Sequence, residues 1–231
     1  MTLSAAGYLS RFEWGLWLIS CALILASSLL FDPGNHLTMW ASLLGATSLI
    51  FIAKGNPIGQ VLIIIFGIMY AIISYGEHYY GEVFTYLGMT APMALIAHVA
   101  WLRNPHGNRK SEVRVNSIGR ADLIALAVLT PVVTIGFYFV LALLGTAELL
   151  WSTFSVTTSF IGAYLTARRS PYYALGYAFN DAVLIVLWIM ASLADPANIP
   201  VAVLFGVFLV NDAYGFLNWR TMGKRQAVNA Q

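Results

Sequence analysis

Apolar residues run along this chain in eight blocks of near-membrane length, at 14–31, 37–53, 58–75, 81–102, 122–144, 147–167, 172–192 and 199–219. Between them stand short clusters that end helices or favour turns: Asp32-Pro33-Gly34, Lys54-Gly55-Asn56-Pro57, Gly76-Glu77-His78, Arg168-Arg169-Ser170-Pro171 and Asp195-Pro196. A longer polar stretch, 103–120, divides the fourth block from the fifth, and only Gly145 divides the fifth from the sixth. A helix crossing a bilayer needs about 20 mostly apolar residues, so the pattern predicts eight transmembrane helices. Arg11 precedes the first block as in a signal peptide. The block nevertheless ends on Phe31-Asp32-Pro33, which is no small-residue cleavage site, and it is read as a helix.

The charges test that count. With eight crossings, all 12 Lys and Arg residues fall on one side, from Arg11 and Lys54 through Arg103–Arg120, Arg168 and Arg169 to Arg220, Lys224 and Arg225. The opposite loops hold Asp32, His36, Glu77, Glu148 and Asp195. Basic loops stay in the cytoplasm, which places both termini there. Composition agrees: 59% of residues are hydrophobic, 10% are charged and mean hydropathy is +0.75, whereas soluble domains carry about 25% charged residues. Lipid is therefore the expected covering. A net charge of +2 gives no reason to expect a nucleic-acid partner, and the single Cys21 excludes an internal disulfide and cysteine-based metal sites. No metal ligand set and no cofactor are expected.

Blocks two to four and six to eight repeat one layout. In each set the basic turn before the second block ends in proline (Pro57, Pro171), and the third block closes on tryptophan (Trp101, Trp219). The prolines lie 114 positions apart and the tryptophans 118, the difference matching the longer turn at 195–198. The expected fold is all-α integral membrane, a parallel 3+1+3 repeat plus one N-terminal helix. Its segments are 1–36 (N-terminal extension and first helix), 37–102 (first unit), 103–146 (basic loop and linker helix), 147–222 (second unit) and 223–231 (cytoplasmic tail). Parallel repeats about an axis along the membrane normal occur in transporters, SWEETs among them.

Asp181 and Asp212 lie inside the seventh and eighth blocks, each preceded by asparagine, as Asn180-Asp181 and Asn211-Asp212. A carboxylate at the centre of a membrane helix costs about 2.5–3.5 kcal/mol on insertion scales and marks a substrate or ion path by default. Helical spacing adds Leu184 and Trp188 to the Asn180 stripe, Tyr214 and Asn218 to that of Asn211, and Gly215 and Trp219 to that of Asp212. The candidate substrate-binding set is Asn180, Asp181, Trp188, Asn211, Asp212, Tyr214, Asn218 and Trp219. It suits a planar polar molecule, stacked on rings and hydrogen-bonded by amides and carboxylates. The plain alternatives are amides that only join helices and end-of-helix tryptophans, Trp101 and Trp219, that anchor at headgroup level. In the first unit the positions matching Asn180 and Asn211 are Phe66 and Met93, so a lopsided site is expected. His98 reads as a packing residue, and Thr90-Ala91-Pro92 as a kink.

The chain has no phosphate-binding Gly-rich loop with Lys, no His-Glu-x-x-His and no Gly-x-Ser-x-Gly, and its loops leave no room for a soluble catalytic domain. No enzyme activity is expected. The strings Gly55-Asn56-Pro57-Ile58-Gly59-Gln60, Tyr79-Tyr80-Gly81-Glu82, Thr85-Tyr86-Leu87-Gly88-Met89-Thr90-Ala91-Pro92 and Asn211-Asp212-Ala213-Tyr214-Gly215-Phe216-Leu217-Asn218-Trp219-Arg220 resemble the PnuC family of vitamin transporters, over roughly 37–222. The resemblance implies a full-length SWEET-like fold, the bacterial cytoplasmic membrane and a homotrimer. It also implies facilitated diffusion of nicotinamide riboside, an NAD precursor, by alternating access, the imported molecule being trapped by cytoplasmic phosphorylation. Related members carry thiamine, riboflavin or deoxynucleosides. On this reading Trp188 and Tyr214 stack on the pyridinium cation, Asn180 and Asn211 pair with amide or hydroxyl groups, and Asp181 or Asp212 balances the charge. Competing readings are a proton-coupled symporter using Asp181 or Asp212 and, last, a membrane-embedded enzyme or a binding subunit.

Overall fold

The computed structural model describes residues 8–107 and 109–228, so the outermost parts of segments 1–36 and 223–231 lie outside the described residues. Backbone groups surrounded by hydrocarbon must be satisfied within their own segment, so each apolar block folds as a helix. The helices are α1 (Arg11–Phe31), α2 (His36–Ala53), α3 (Ile58–Gly76), α4 (Tyr80–Arg103), α5 (Arg120–Leu143), α6 (Leu149–Ala167), α7 (Tyr173–Ala194) and α8 (Ile199–Val228). Among the described residues, seven are long and apolar enough to cross a membrane. The eighth, α6, carries Ser152, Thr153, Ser155, Thr157, Thr158 and Ser159. Several of these hydroxyls donate to carbonyls of their own helix, Thr153 to Leu149 and Thr157 to Thr153 among them, which hides their polarity.

Six helices, α2–α4 and α6–α8, form a ring, and α1 and α5 attach to it. Along each unit neighbours pack in order, α2 on α3 on α4 and α6 on α7 on α8, and the ring closes where α8 meets α2 and α4 meets α6. Outside it, α1 lies against α2 and α8, and α5 against α6. The outer face of α5 is bare apolar surface, with Ile124, Val132, Phe139 and Leu143 all exposed, as expected of a wall that meets lipid.

The two turns that carry Pro57 and Pro171 match hydrogen bond for hydrogen bond. Asn56 N–H donates to Phe51 and Gly55 N–H to Ile52; Ser170 N–H donates to Leu165 and Arg169 N–H to Thr166. Both are Schellman endings with a left-handed residue, Gly55 at φ +67° and Arg169 at φ +60°. The side chains of Asn56 and Ser170 then accept from the N–H two residues on, at Ile58 and Tyr172. Trp101 Nε1 donates to the carbonyl of Thr166 (3.2 Å) and Trp219 Nε1 to that of Ile52 (2.9 Å), each across the ring to the opposite unit. Their rings lie 5.2 Å apart and both are buried. Headgroup anchoring, one expectation for these tryptophans, is therefore corrected: their indoles close the basic end of the ring because each N–H finds a helix-end carbonyl inside it.

The polar stretch after α4 also departs from a plain loop. It folds back as a short hairpin, β1 (Pro105–His106) with β2 (Arg109–Val113), and then runs as a strap beneath the bundle. Val113 N–H donates to Gly55 and Asn116 N–H to Arg169, so one strap is bonded to both matched turns. The last helix continues past Trp219 to Val228 because Gln226 is built into this strap. Its amide bonds Val115 N–H (2.8 Å), the Val113 carbonyl (3.0 Å) and Glu112 Oε1 (2.9 Å). Burial raises the Glu112 carboxyl, but Gln226 and the Arg225 guanidinium (2.6 Å) outweigh it and hold the group below the ordinary carboxylate range. A lowered folded-state value means this contribution persists at neutral pH and disappears only in acid, as Glu112 protonates. Gln226→Ala strands a donor and an acceptor that are part-buried. It is expected to raise the hydrogen-exchange rate of the 111–118 amides while leaving α7 protected; unchanged exchange would show that the amide holds nothing.

In α4, residues Thr85–Thr90 form a π-helical segment, with Ala91 N–H donating to Tyr86. Pro92 follows, and a proline ring cannot donate and crowds the carbonyl one turn back; the wider π turn accommodates it. The expected kink is thus a change of helical register. His98 Nδ1 lies 2.9 Å from the Pro57 carbonyl, in a packing role between α4 and the α2–α3 turn.

Candidate functional site

The ring encloses a cavity of about 40 Å³. Its polar lining comes mostly from the second unit: Asn180, Asp181, Tyr173 and Tyr177 on α7, Asp212 on α8 and Thr166 on α6. The first unit adds Gln60, Tyr86, Thr90 and the apolar Met93. Asp181 and Asp212 sit side by side with their carboxyl groups interacting, both buried. Asn180 Nδ2 is committed to α6, at 3.1 Å from the Ser155 carbonyl, 3.0 Å from Ser155 Oγ and 3.2 Å from Thr158 Oγ1. Two polar atoms of the lining residues, one from each unit, stay unpaired, Asp181 Oδ2 and Gln60 Nε2. Buried polar atoms are nearly always paired, so an orphan from each unit at one cavity marks a place built to receive hydrogen bonds.

The other candidate residues lie elsewhere. Trp188 packs on the side away from the basic end, its Nε1 2.7 Å from Tyr70 OH, in an aromatic cluster with Tyr79, Tyr86, Phe66 and Phe205. Asn211, Tyr214 and Asn218 share one stripe, as their spacing implies, but that stripe faces α1 and α2. Asn211 Nδ2 donates to Ser20 Oγ (3.2 Å), Tyr214 OH to Glu13 Oε1 (2.7 Å) and Asn218 Nδ2 to the Ala53 carbonyl (2.9 Å). Glu13 is itself buried and paired with Lys54 at 2.8 Å. Trp219 closes the basic end of the ring with Trp101. The polar cavity residues without a place in the candidate set are Gln60, Thr90, Thr166 and the tyrosines of α4 and α7. Gln60 carried a visible signal, an amide early in an otherwise apolar block.

A water needs roughly 10–15 Å³ of such space, and pockets that hold drug-sized ligands run to about 300–1,000 Å³. The ring is therefore contracted around its polar centre, and a nucleoside-sized molecule fits only if the helices part. A larger hollow of about 460 Å³ lies between α1 and α2, lined by Trp14, Trp17, Phe51 and Thr47. The Thr47 hydroxyl is already used, accepting from Trp17 Nε1 and donating to Leu43, and the intramembrane acids are not there.

A ring of membrane helices closed at one end by paired tryptophans, with unpaired polar atoms from both halves at its centre, is the layout expected of a membrane transporter. The sequence model of the family described as "Nicotinamide mononucleotide transporter" matches residues 35–221. Two similar proteins, from Neisseria mucosa and Haemophilus influenzae, are each named "Nicotinamide riboside transporter PnuC". The first is 24% identical over 94% of this chain and 84% of its own length. The second is 24% identical over 84% and 83%. A solved structure titled "Crystal structure of the Vitamin B3 transporter PnuC" superposes with a TM-score of 0.84 at 21% identity, over 97% of this chain and 100% of that one. The chain belongs to the PnuC family of membrane transporters.

Proposed function

We propose that this protein carries nicotinamide riboside across a bacterial cytoplasmic membrane, with both termini in the cytoplasm. The observation that carries the reading is the buried Asp181–Asp212 pair, with one orphaned carboxyl oxygen, lining the same cavity as the orphaned Gln60 amide nitrogen. A pyridinium cation is matched by the acids, its carboxamide by Gln60, and its ring by the tyrosines of the wall. The names of the two relatives support the same substrate. Transport is by facilitated diffusion with alternating access, the two three-helix units moving about the axis that relates their matched turns. Cytoplasmic phosphorylation then traps the product.

Uptake of labelled nicotinamide riboside into liposomes that hold only the purified protein is the test. Equilibration to equal concentrations, with competition by unlabelled riboside and indifference to a collapsed proton gradient, is the expected result. Accumulation that follows an imposed proton gradient would replace diffusion with symport through the carboxyl pair. Competition by thiamine but not by the riboside would overturn the substrate.

A further inference from the structure

We infer that Glu82 is a second recognition carboxylate for the positively charged ring of the substrate, stationed on the side of the cavity away from the basic end. The inference rests on the cationic substrate proposed above and goes beyond it in naming this residue and its role. Glu82 is fully buried, and neither carboxyl oxygen makes a hydrogen bond, although the Ser155 hydroxyl lies close by. Thr85, on the same helix, and Ser74, on the facing α3, hold further unpaired buried hydroxyls. A carboxylate buried in the protein interior with one hydroxyl nearby is expensive unless a charged partner arrives in some state of the protein.

The surroundings say what that partner is. One turn along α4, Tyr86 lines the cavity, and its ring stands 4.5 Å from that of Tyr70, which in turn bonds Trp188. Rings of electron-rich face beside an unpaired carboxylate are the composition that recognises an organic cation. The path to it is supplied by the helix itself. The π segment Thr85–Thr90 stands between Glu82 and the cavity residues Met93 and Ala94. Converting its extra residue to α register turns the Tyr80–Phe84 part by about 100°, enough to carry a side chain from one neighbouring helix to the next. Glu82 thus meets the cation on its way between the outer side and the Asp181–Asp212 pair.

The test uses the purified full chain and two ligands of one shape: nicotinamide riboside, a cation, and its reduced dihydro form, which is neutral. Calorimetric titration is expected to show Glu82→Gln weakening the cation by about tenfold or more, as loss of a charged partner does, while the neutral riboside binds as before. That unchanged binding also reports that the variant is folded. Glu82→Asp, which keeps the charge, is expected to retain part of the preference for the cation. If Glu82→Gln binds both ligands as the wild type does, or weakens both alike, the inference is overturned while the proposed substrate stands. If the wild type binds neither riboside, both fall.

Discussion

Replacing Asp181 and Asp212 together by asparagine is expected to reduce affinity for nicotinamide riboside by about a hundredfold or more, because contacts to a charged group contribute about 1.5–3 kcal/mol each. Asparagine keeps the shape and hydrogen-bonding capacity of both side chains and removes only the negative charge, so the cavity wall of α7 and α8 survives. Thermal stability in detergent is expected to hold or rise, since two buried, adjacent carboxyl groups are replaced by neutral amides. Binding and the unfolding midpoint thus move in different directions, which separates a ligand-facing pair from a purely structural one. A double variant that binds the cation as tightly as the wild type would remove the pair from recognition and leave Gln60 and the tyrosines without a charged partner to organise.

Gly176→Ala is expected to destabilise the protein by roughly 1–3 kcal/mol, the usual consequence of forcing extra volume into a closed contact. The added methyl would stand 2.8 Å from both Cα and N of Gly162, so α6 and α7 would have to move apart as whole backbones. Helices that approach this closely in lipid do so through small residues, with dispersion contacts in place of a hydrophobic drive. Gly206→Ala, on α8, meets nothing within 4 Å and is the control, expected to leave the unfolding midpoint in place. Equal midpoints for the two variants would mean that α6 and α7 do not touch at Gly162. The effect reaches the cavity as well, because Ala163 and Tyr177, the residues next to this pair of glycines, line it.

Hydrophobic blocks and basic loops made the helices readable, because a membrane lets the backbone do little else and sorts positive charge to one side. Which face of each helix meets which neighbour was less readable. The stripe Asn211, Tyr214, Asn218 is a true single face, yet nothing in its spacing says that α1 covers it; that follows from Ser20 and Glu13, some two hundred positions away. Trp101 and Trp219 have the sequence position of headgroup anchors, and only the partner carbonyls at Thr166 and Ile52 draw them inward. Glu82 was hidden by its place near the start of a block, where a carboxyl usually reaches water. The strap and the continuation of α8 were invisible for a common reason: they are held by bonds from Glu112, Val113 and Val115 to Gln226, which are long-range and polar.

The strap has a mechanical meaning that the matched turns alone lack. Two equivalent turns invite independent movement of the two units at the basic end, but a single stretch of chain is bonded to Gly55 of one and Arg169 of the other. Being one piece, it cannot obey the symmetry of the turns it joins. It acts as a tie laid across the two turns: parting them at this end must shear the strap from one turn or the other. The two ends of the ring are therefore fastened by different means, one by backbone bonds to a shared strap and the other by side chains such as Trp188 on Tyr70.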